Sequence, residues 1–201
     1  MTDLMTTVSA ALAKRGFTVH HAATKAEAAQ LVLSLIPEGA SVGAGGSMTI
    51  RELGLAESLQ SAGHPVHWHW LEQGAAAFPA AHAADVYLCS ANAVTRDGQL
   101  VNIDGTGNRV AAMIHGPKQV IAVVGVNKLV DGGYPQALAR IKREACPPNA
   151  QRLNLPFPCG QTGKCDPDSC PGGFCNIITI QEHPTGKRPY TVVLVDEAMG
   201  Y

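Results

Sequence analysis

Two alternating periodicities constrain this chain more than any other feature. Residues 3–15 and 24–36 space their apolar side chains three and four apart, as one face of a helix does. Thr24 followed by Glu27 forms a capping box for the second of these helices. Short apolar or β-branched runs fall at 17–20, 40–43, 65–70, 86–90, 120–124 and 190–195, and residues 132–145 predict a further helix with Pro135 in its first turn. Strands separated by helices require right-handed crossovers, so the fold class is α/β, with a mostly parallel sheet flanked by helices.

Two segments depart from this rhythm. Residues 92–95 and 100–103 flank Arg96-Asp97-Gly98 and predict a small antiparallel hairpin inserted in the parallel pattern. Residues 146–176 are rich in Cys, Gly and Pro, lack apolar periodicity, and read as a long metal-binding loop or arm near the C-terminus. A loop of that length needs a reason, and a metal supplies one. The whole of 1–201 is expected to form one domain, large enough to bury a core without disulfides.

Composition narrows the function classes. Hydrophobic residues make up 46% and charged ones 15%, which excludes disorder. Net charge is -1 and no Lys/Arg cluster occurs, so neither nucleic acid nor an anionic membrane surface is indicated as a partner. The longest apolar runs, such as 120–126, are strand-sized, so no membrane insertion is expected. Residues 1–15 lack the basic start of a secretory signal, which makes the cytoplasm the expected location and reduced thiols the expected state.

Two glycine-rich elements sit where predicted strands give way to helices. In the first, Gly43, Gly45 and Gly46 precede Ser47 and Thr49, and Ser47 is placed to cap a helix whose free N–H groups could face an anion. The dinucleotide fingerprint is a poor match because Met48 stands where its third glycine belongs, and no Gly-Lys-Ser/Thr ends the loop. A plain glycine turn with a serine cap is the competing reading. The second element runs Asn102, Asp104, Gly105, Thr106, Gly107, Asn108, Arg109. Arg109 could grip a carboxylate or phosphate with two N–H groups, or simply pair with Asp104. Two such loops favour convergence on one pocket, with Asn92 at a strand end as a further candidate.

Cys159, Cys165, Cys170 and Cys175 follow one another at gaps of five, four and four among Gly160, Gly163, Gly172, Gly173, Pro167 and Pro171. Such a chain can wrap one point, as either a tetrahedral zinc site or an iron–sulfur cluster requires. Free thiols in a flexible segment remain the alternative. Lys164 could balance thiolate charge. Cys89 reads as a small buried hydrophobe, with a nucleophilic role as the alternative, though no activating His is identifiable. Cys146 reads as a structural residue ending a helix before Pro147-Pro148, with reach to the cluster as its alternative.

The run from Ser90 to Ala112, with Gly116-Pro117-Lys118 and Val123-Val-Gly-Val-Asn-Lys128, resembles the lactate-utilisation (LUD-domain) family, as does the stretch from Gly43 to Gly54. The resemblance implies a fold similar to the ribose-phosphate isomerase, glucosamine-phosphate deaminase and CoA-transferase group. It also implies that Gly45, Ser47 and Thr49 line a phosphate- or CoA-type site, in a protein working beside iron–sulfur partners of lactate oxidation. On that basis the cysteines are expected to hold an iron–sulfur cluster of the [4Fe–4S] type, with zinc as the alternative.

Other residues carry less. His67 and His69 alternate with Trp68 and Trp70 on a half-exposed strand, with Glu72 the nearest carboxylate companion; His20, His21 and His82 read as surface and His115 as a helix end. Asp196 and Glu197 close the last strand. Three readings follow: a redox-associated protein binding a small 2-hydroxy or 2-oxo acid, or a phosphorylated or CoA-linked relative; a non-catalytic sensing or assembly subunit with structural zinc; and an isomerase or acyl-CoA transferase using Asp104 or Glu52. Under the first, Arg109→Ala weakens ligand binding without unfolding the chain.

Overall fold

The computed structural model describes residues 2–71 and 77–201. Its centre is a six-stranded, all-parallel sheet in the order β1 (Thr18–Ala22), β10 (Tyr190–Val195), β7 (Gln119–Gly125), β4 (Val86–Cys89), β2 (Val42–Ala44) and β3 (Val66–Trp68). Alternate residues of β7 serve opposite layers. Ile121 and Val123 join a core with Val32, Ile50 and Leu59. Val120, Ala122 and Val124 join a second core with Met5, Leu12 and Tyr87. Both faces are covered at the centre of the sheet, which is why β4, β7 and β10 read as nearly unbroken apolar runs.

The helices supplying those faces follow the sequence pattern. α1 (Asp3–Lys14) buries Met5, Val8 and Leu12, one residue per turn. α2 (Lys25–Ser34) starts where Thr24 Oγ1 accepts from Glu27 N at 3.2 Å, while Glu27 returns a bond to Ala23 N at 2.8 Å. α3 (Met48–Glu52) and α4 (Leu55–Ser61) follow β2; α5 (Ala77–Ala83) precedes β4, and α6 (Asn108–Ile114) precedes β7.

The hairpin forms as expected between β5 (Ala93–Thr95) and β6 (Leu100–Asp104), with Gly98 at φ +77° in its turn. It is the centre of a second sheet rather than an isolated insert. β8 (Leu129–Val130) adds in parallel to β5, and β9 (Ile177–Gln181) adds antiparallel to β6. β9 carries no clear alternation in sequence because it is an edge strand, and its Ile178 is half exposed.

The largest departure from expectation lies after residue 132. α7 (Tyr134–Arg140) passes into a π turn (Ile141–Ala145) and continues as α8 (Cys146–Arg152), straight through Pro147-Pro148. A proline inside a helix normally loses a hydrogen bond and clashes with the turn before it. Here the widened turn precedes the pair, which falls in the first turn of α8, where prolines are tolerated. A further short helix, α9 (Pro158–Thr162), follows. The start of the 146–176 segment is therefore helical, and the helix leading into it packs Ala137, Ile141, Ala145 and Cys146 against Ala93, Val101 and Ile103 of the second sheet. Residues 163–176 hold no helix or strand and are mostly exposed.

Candidate functional site

Parallel strands end on one edge, so the segments leaving β2, β4 and β7 gather there. They floor a cavity of about 520 Å³, within the range of ligand pockets. One wall holds Gly46, Ser47, Met48 and Thr49; another holds Asn92, Asp104, Gly105, Thr106, Asn108 and Arg109. Both glycine-rich elements thus meet at one place. Ser47 caps α3 as the sequence suggests, accepting from Ile50 N at 3.3 Å.

Four of the singled-out residues stand behind the wall. A Cβ on Gly43 would lie 2.3 Å from the Ala81 carbonyl oxygen, and one on Gly45 would lie 2.5 Å from the Tyr87 hydroxyl. These glycines admit α5 and Tyr87 close to the sheet. Gly107 takes φ +84° to start α6, a conformation natural to glycine. Asn102 is buried, and its Oδ1 accepts from Asn92 N at 3.0 Å.

Arg109 is the hub of this wall. Its Nη1 donates to Ser90 O (3.2 Å) and Asn102 Oδ1 (3.1 Å), and its Nη2 to Asn92 Oδ1 (2.9 Å) and Ile103 O (3.0 Å). Nε lies 3.6 Å from Asp104, whose carboxylate also accepts from Gly105 N and Val110 N. The guanidinium is nearly buried and ties the hairpin to α6 through these bonds, while the residue also lines the cavity. Glu52 is committed to Lys25 at 3.1 Å and to Gly200 N.

Lys128 went unassigned in sequence, although the run that contains it was singled out. It follows β7 in a short 3₁₀ turn and is 2% exposed. Its Nζ lies 2.6 Å from Thr49 Oγ1 and 2.9 Å from Ser90 Oγ, and the residue lines the cavity. Among the described residues no carboxylate lies within salt-bridge distance of it. Burial, then the nearby cations Arg140 and Arg109, bring its pKa down to about 7. The one signal in sequence is a lysine a few residues past an apolar strand.

The opposite wall is aromatic: His69, Trp70, Phe78, Phe157, Phe174 and Tyr201. Trp70 has the guanidiniums of Arg51 and Arg152 at 5.6 and 5.4 Å from its ring. Trp68 turns inward and donates to Gly45 O at 2.9 Å. The His69 ring packs beside Gly46 with its Nδ1 buried and without a hydrogen-bond partner among the described residues, and burial, then Arg152, lowers its pKa. Glu72 lies outside the described residues. His82 is not a surface group, since its Nε2 bonds Asn108 O at 2.7 Å and joins α5 to α6. Asp196 pairs with His21 at 3.0 Å and Glu197 accepts from Lys25 N, both away from the cavity wall.

The cysteines adjoin this cavity. Cys159, Cys165, Cys170 and Cys175 line a small space of about 30 Å³, joined by Cys146, whose Sγ is 3.5 Å from that of Cys175. The hydrogen bond between those two pushes the Cys175 thiol down and the Cys146 thiol up. Lys142, not Lys164, is the cation in this wall. Cys146 and Cys175, with Phe157 and Phe174, also line the larger cavity, so the two spaces share a partition. Among the described residues no three His, Cys, Asp or Glu side chains converge closely enough to hold an ion as they stand. Cys89 is fully buried under the sheet, and burial pushes its thiol up to about 12. No helix among the described residues is long and apolar enough to cross a membrane.

Comparisons with known proteins agree with this architecture. No curated protein matches the sequence. A crystal structure of a DUF162 family protein from Deinococcus radiodurans is similar in fold, with a TM-score of 0.58 over 96% of each chain at 14% identity. The LUD domain family model matches residues 5–195, which takes in the parallel sheet, both glycine-rich elements and all six cysteines. Nearly the whole chain is covered, and it belongs to the LUD-domain family.

Proposed function

We propose that this is a lactate-utilisation-type protein that binds a small anionic metabolite in the 520 Å³ cavity beside a thiolate metal centre. The observation that carries the reading is Lys128, a buried amine at the cavity wall with hydroxyls, and no carboxylate among the described residues, as neighbours. A 2-hydroxy or 2-oxo acid, or a phosphorylated or CoA-type relative, supplies the missing negative charge. Ser47, Asn92 and Asn108 offer neutral donors around it, while the Thr49 and Thr106 hydroxyls donate to Met199 O and Asn108 Oδ1.

The chemistry of the donor set beside the cavity suits a metal centre, with five thiols and the Asp166 carboxylate on one small space and Lys142 to offset thiolate charge. The thiols must draw closer together to ligate an ion. Cys159, Cys165, Cys170 and Cys175 would hold it. An iron–sulfur cluster of the [4Fe–4S] type, when bound, supplies one-electron transfer, in keeping with partners in lactate oxidation. A structural zinc in a non-catalytic subunit is the second reading. The ion-sized space of about 30 Å³ favours it. Metal and acid-labile sulfide analysis on protein purified without oxygen separates them. Iron with sulfide supports the redox reading, and stoichiometric zinc supports the second. Protein that binds neither when reconstituted refutes the metal centre.

A further inference from the structure

Resting on the anion-site reading above, we propose that Lys128 is the charged anchor of the cavity: its amine, held by Thr49 and Ser90, receives the ligand's carboxylate or phosphate and takes up a proton as the anion binds. An ammonium has three N–H donors. Two are met by Thr49 Oγ1 at 2.6 Å and Ser90 Oγ at 2.9 Å, and the third has no partner among the described residues. The group lines the cavity although it is almost wholly buried.

Its electrostatic surroundings are unbalanced. Arg140 and Arg109 act on it from α7 and α6, and Glu52 of α3 opposes them more weakly. Arg109 is matched by Asp104, and Arg140 Nε lies 3.3 Å from Glu144. Lys128 alone of the three lacks a matching acid among the described residues. Without ligand, burial and the two guanidiniums favour the neutral amine near neutrality. An anion in the cavity reverses that balance, so binding and protonation are linked. Apparent affinity then falls about tenfold for each pH unit above about 7.

The test is a titration of the lysine amino groups by nitrogen-15 NMR, with Lys128 assigned by loss of its signal in Lys128→Met. Pyruvate, L-lactate and inorganic phosphate are the probes, and Trp70 fluorescence reports their binding independently. The expected result is a Lys128 titration near neutrality that moves upward with bound probe. Affinity for pyruvate or L-lactate, whose carboxylates stay ionised throughout, should decline with pH in the native protein and stay flat in Lys128→Met. An ordinary lysine titration, or one that does not move while Trp70 reports binding, overturns the anchor and leaves the anion site standing. If none of the probes binds at millimolar concentration at any pH between about 6 and 9, the anion-site reading itself fails.

Discussion

Arg109→Met tests whether the cavity wall is built by this arginine or only decorated with it. The substitution keeps apolar bulk but removes four hydrogen bonds and the ion pair with Asp104. Asn92 Oδ1, Asn102 Oδ1 and Asp104 retain other donors, from Ile103 N, Asn92 N, Gly105 N and Val110 N. Ser90 O and Ile103 O lose the guanidinium, and Asp104 becomes a nearly buried charge without its cation. Removing one partner of a buried pair costs about 3–5 kcal/mol, and the remaining donors put this case near the lower end, at about 3 kcal/mol. For a chain of this length that corresponds to a fall in Tm of roughly 6–12 °C. Urea denaturation followed by far-UV circular dichroism gives the free energy, and a thermal scan gives the shift. A variant within 1 kcal/mol of the native protein that has nevertheless lost binding of phosphate or pyruvate would show that the guanidinium serves the ligand first.

Other substitutions probe the remaining elements. Gly43→Ala drives a Cβ to 2.3 Å from the Ala81 carbonyl oxygen and should cost about 2–3 kcal/mol through displacement of α5, read by urea denaturation; a neutral result removes the packing role assigned to this glycine. Lys128 also gives a pH signature in stability. Its folded pKa of about 7 lies below its unfolded value, so the unfolded chain binds the extra proton between them and stability rises with pH across that window. The native protein should therefore gain about 2 kcal/mol relative to Lys128→Met between pH 7 and 9, and a constant difference would place the titration elsewhere. Cys165→Ser should lower the metal content of anaerobically purified protein while Cys89→Ser leaves it unchanged, because Cys89 is buried under the sheet and apart from the thiol-lined space. Equal losses from both would dissolve that distinction.

Much of the fold is legible in the order of residues. Each predicted strand from β1 to β7 and β10 lies within a few residues of its place, because a strand buried on both faces needs a run of apolar or β-branched side chains. Thr24, Ser47 and Gly98 mark their helix starts and turn by local chemistry alone. The passage through Cys146-Pro147-Pro148 is not legible. A proline pair signals a break, and only a π turn set by packing against the second sheet lets the helix continue. β9 is hidden for the related reason that an edge strand takes its partner from β6 rather than from its own pattern.

The candidate site divides along the same line. Sequence by itself determined that two glycine-rich elements lie where strands give way to helices and that four cysteines crowd one segment, since spacing along the chain is all such features need. Only the tertiary structure decided what each residue faces. It sends Gly43 and Gly45 into packing and closes Arg109 onto Asn92, Asn102 and Asp104. It also brings Cys146 against Cys175 and leaves Lys128 at the cavity wall with hydroxyls for neighbours. Burial and the company of distant residues set a side chain's charge and reach, and neither is written in its local sequence.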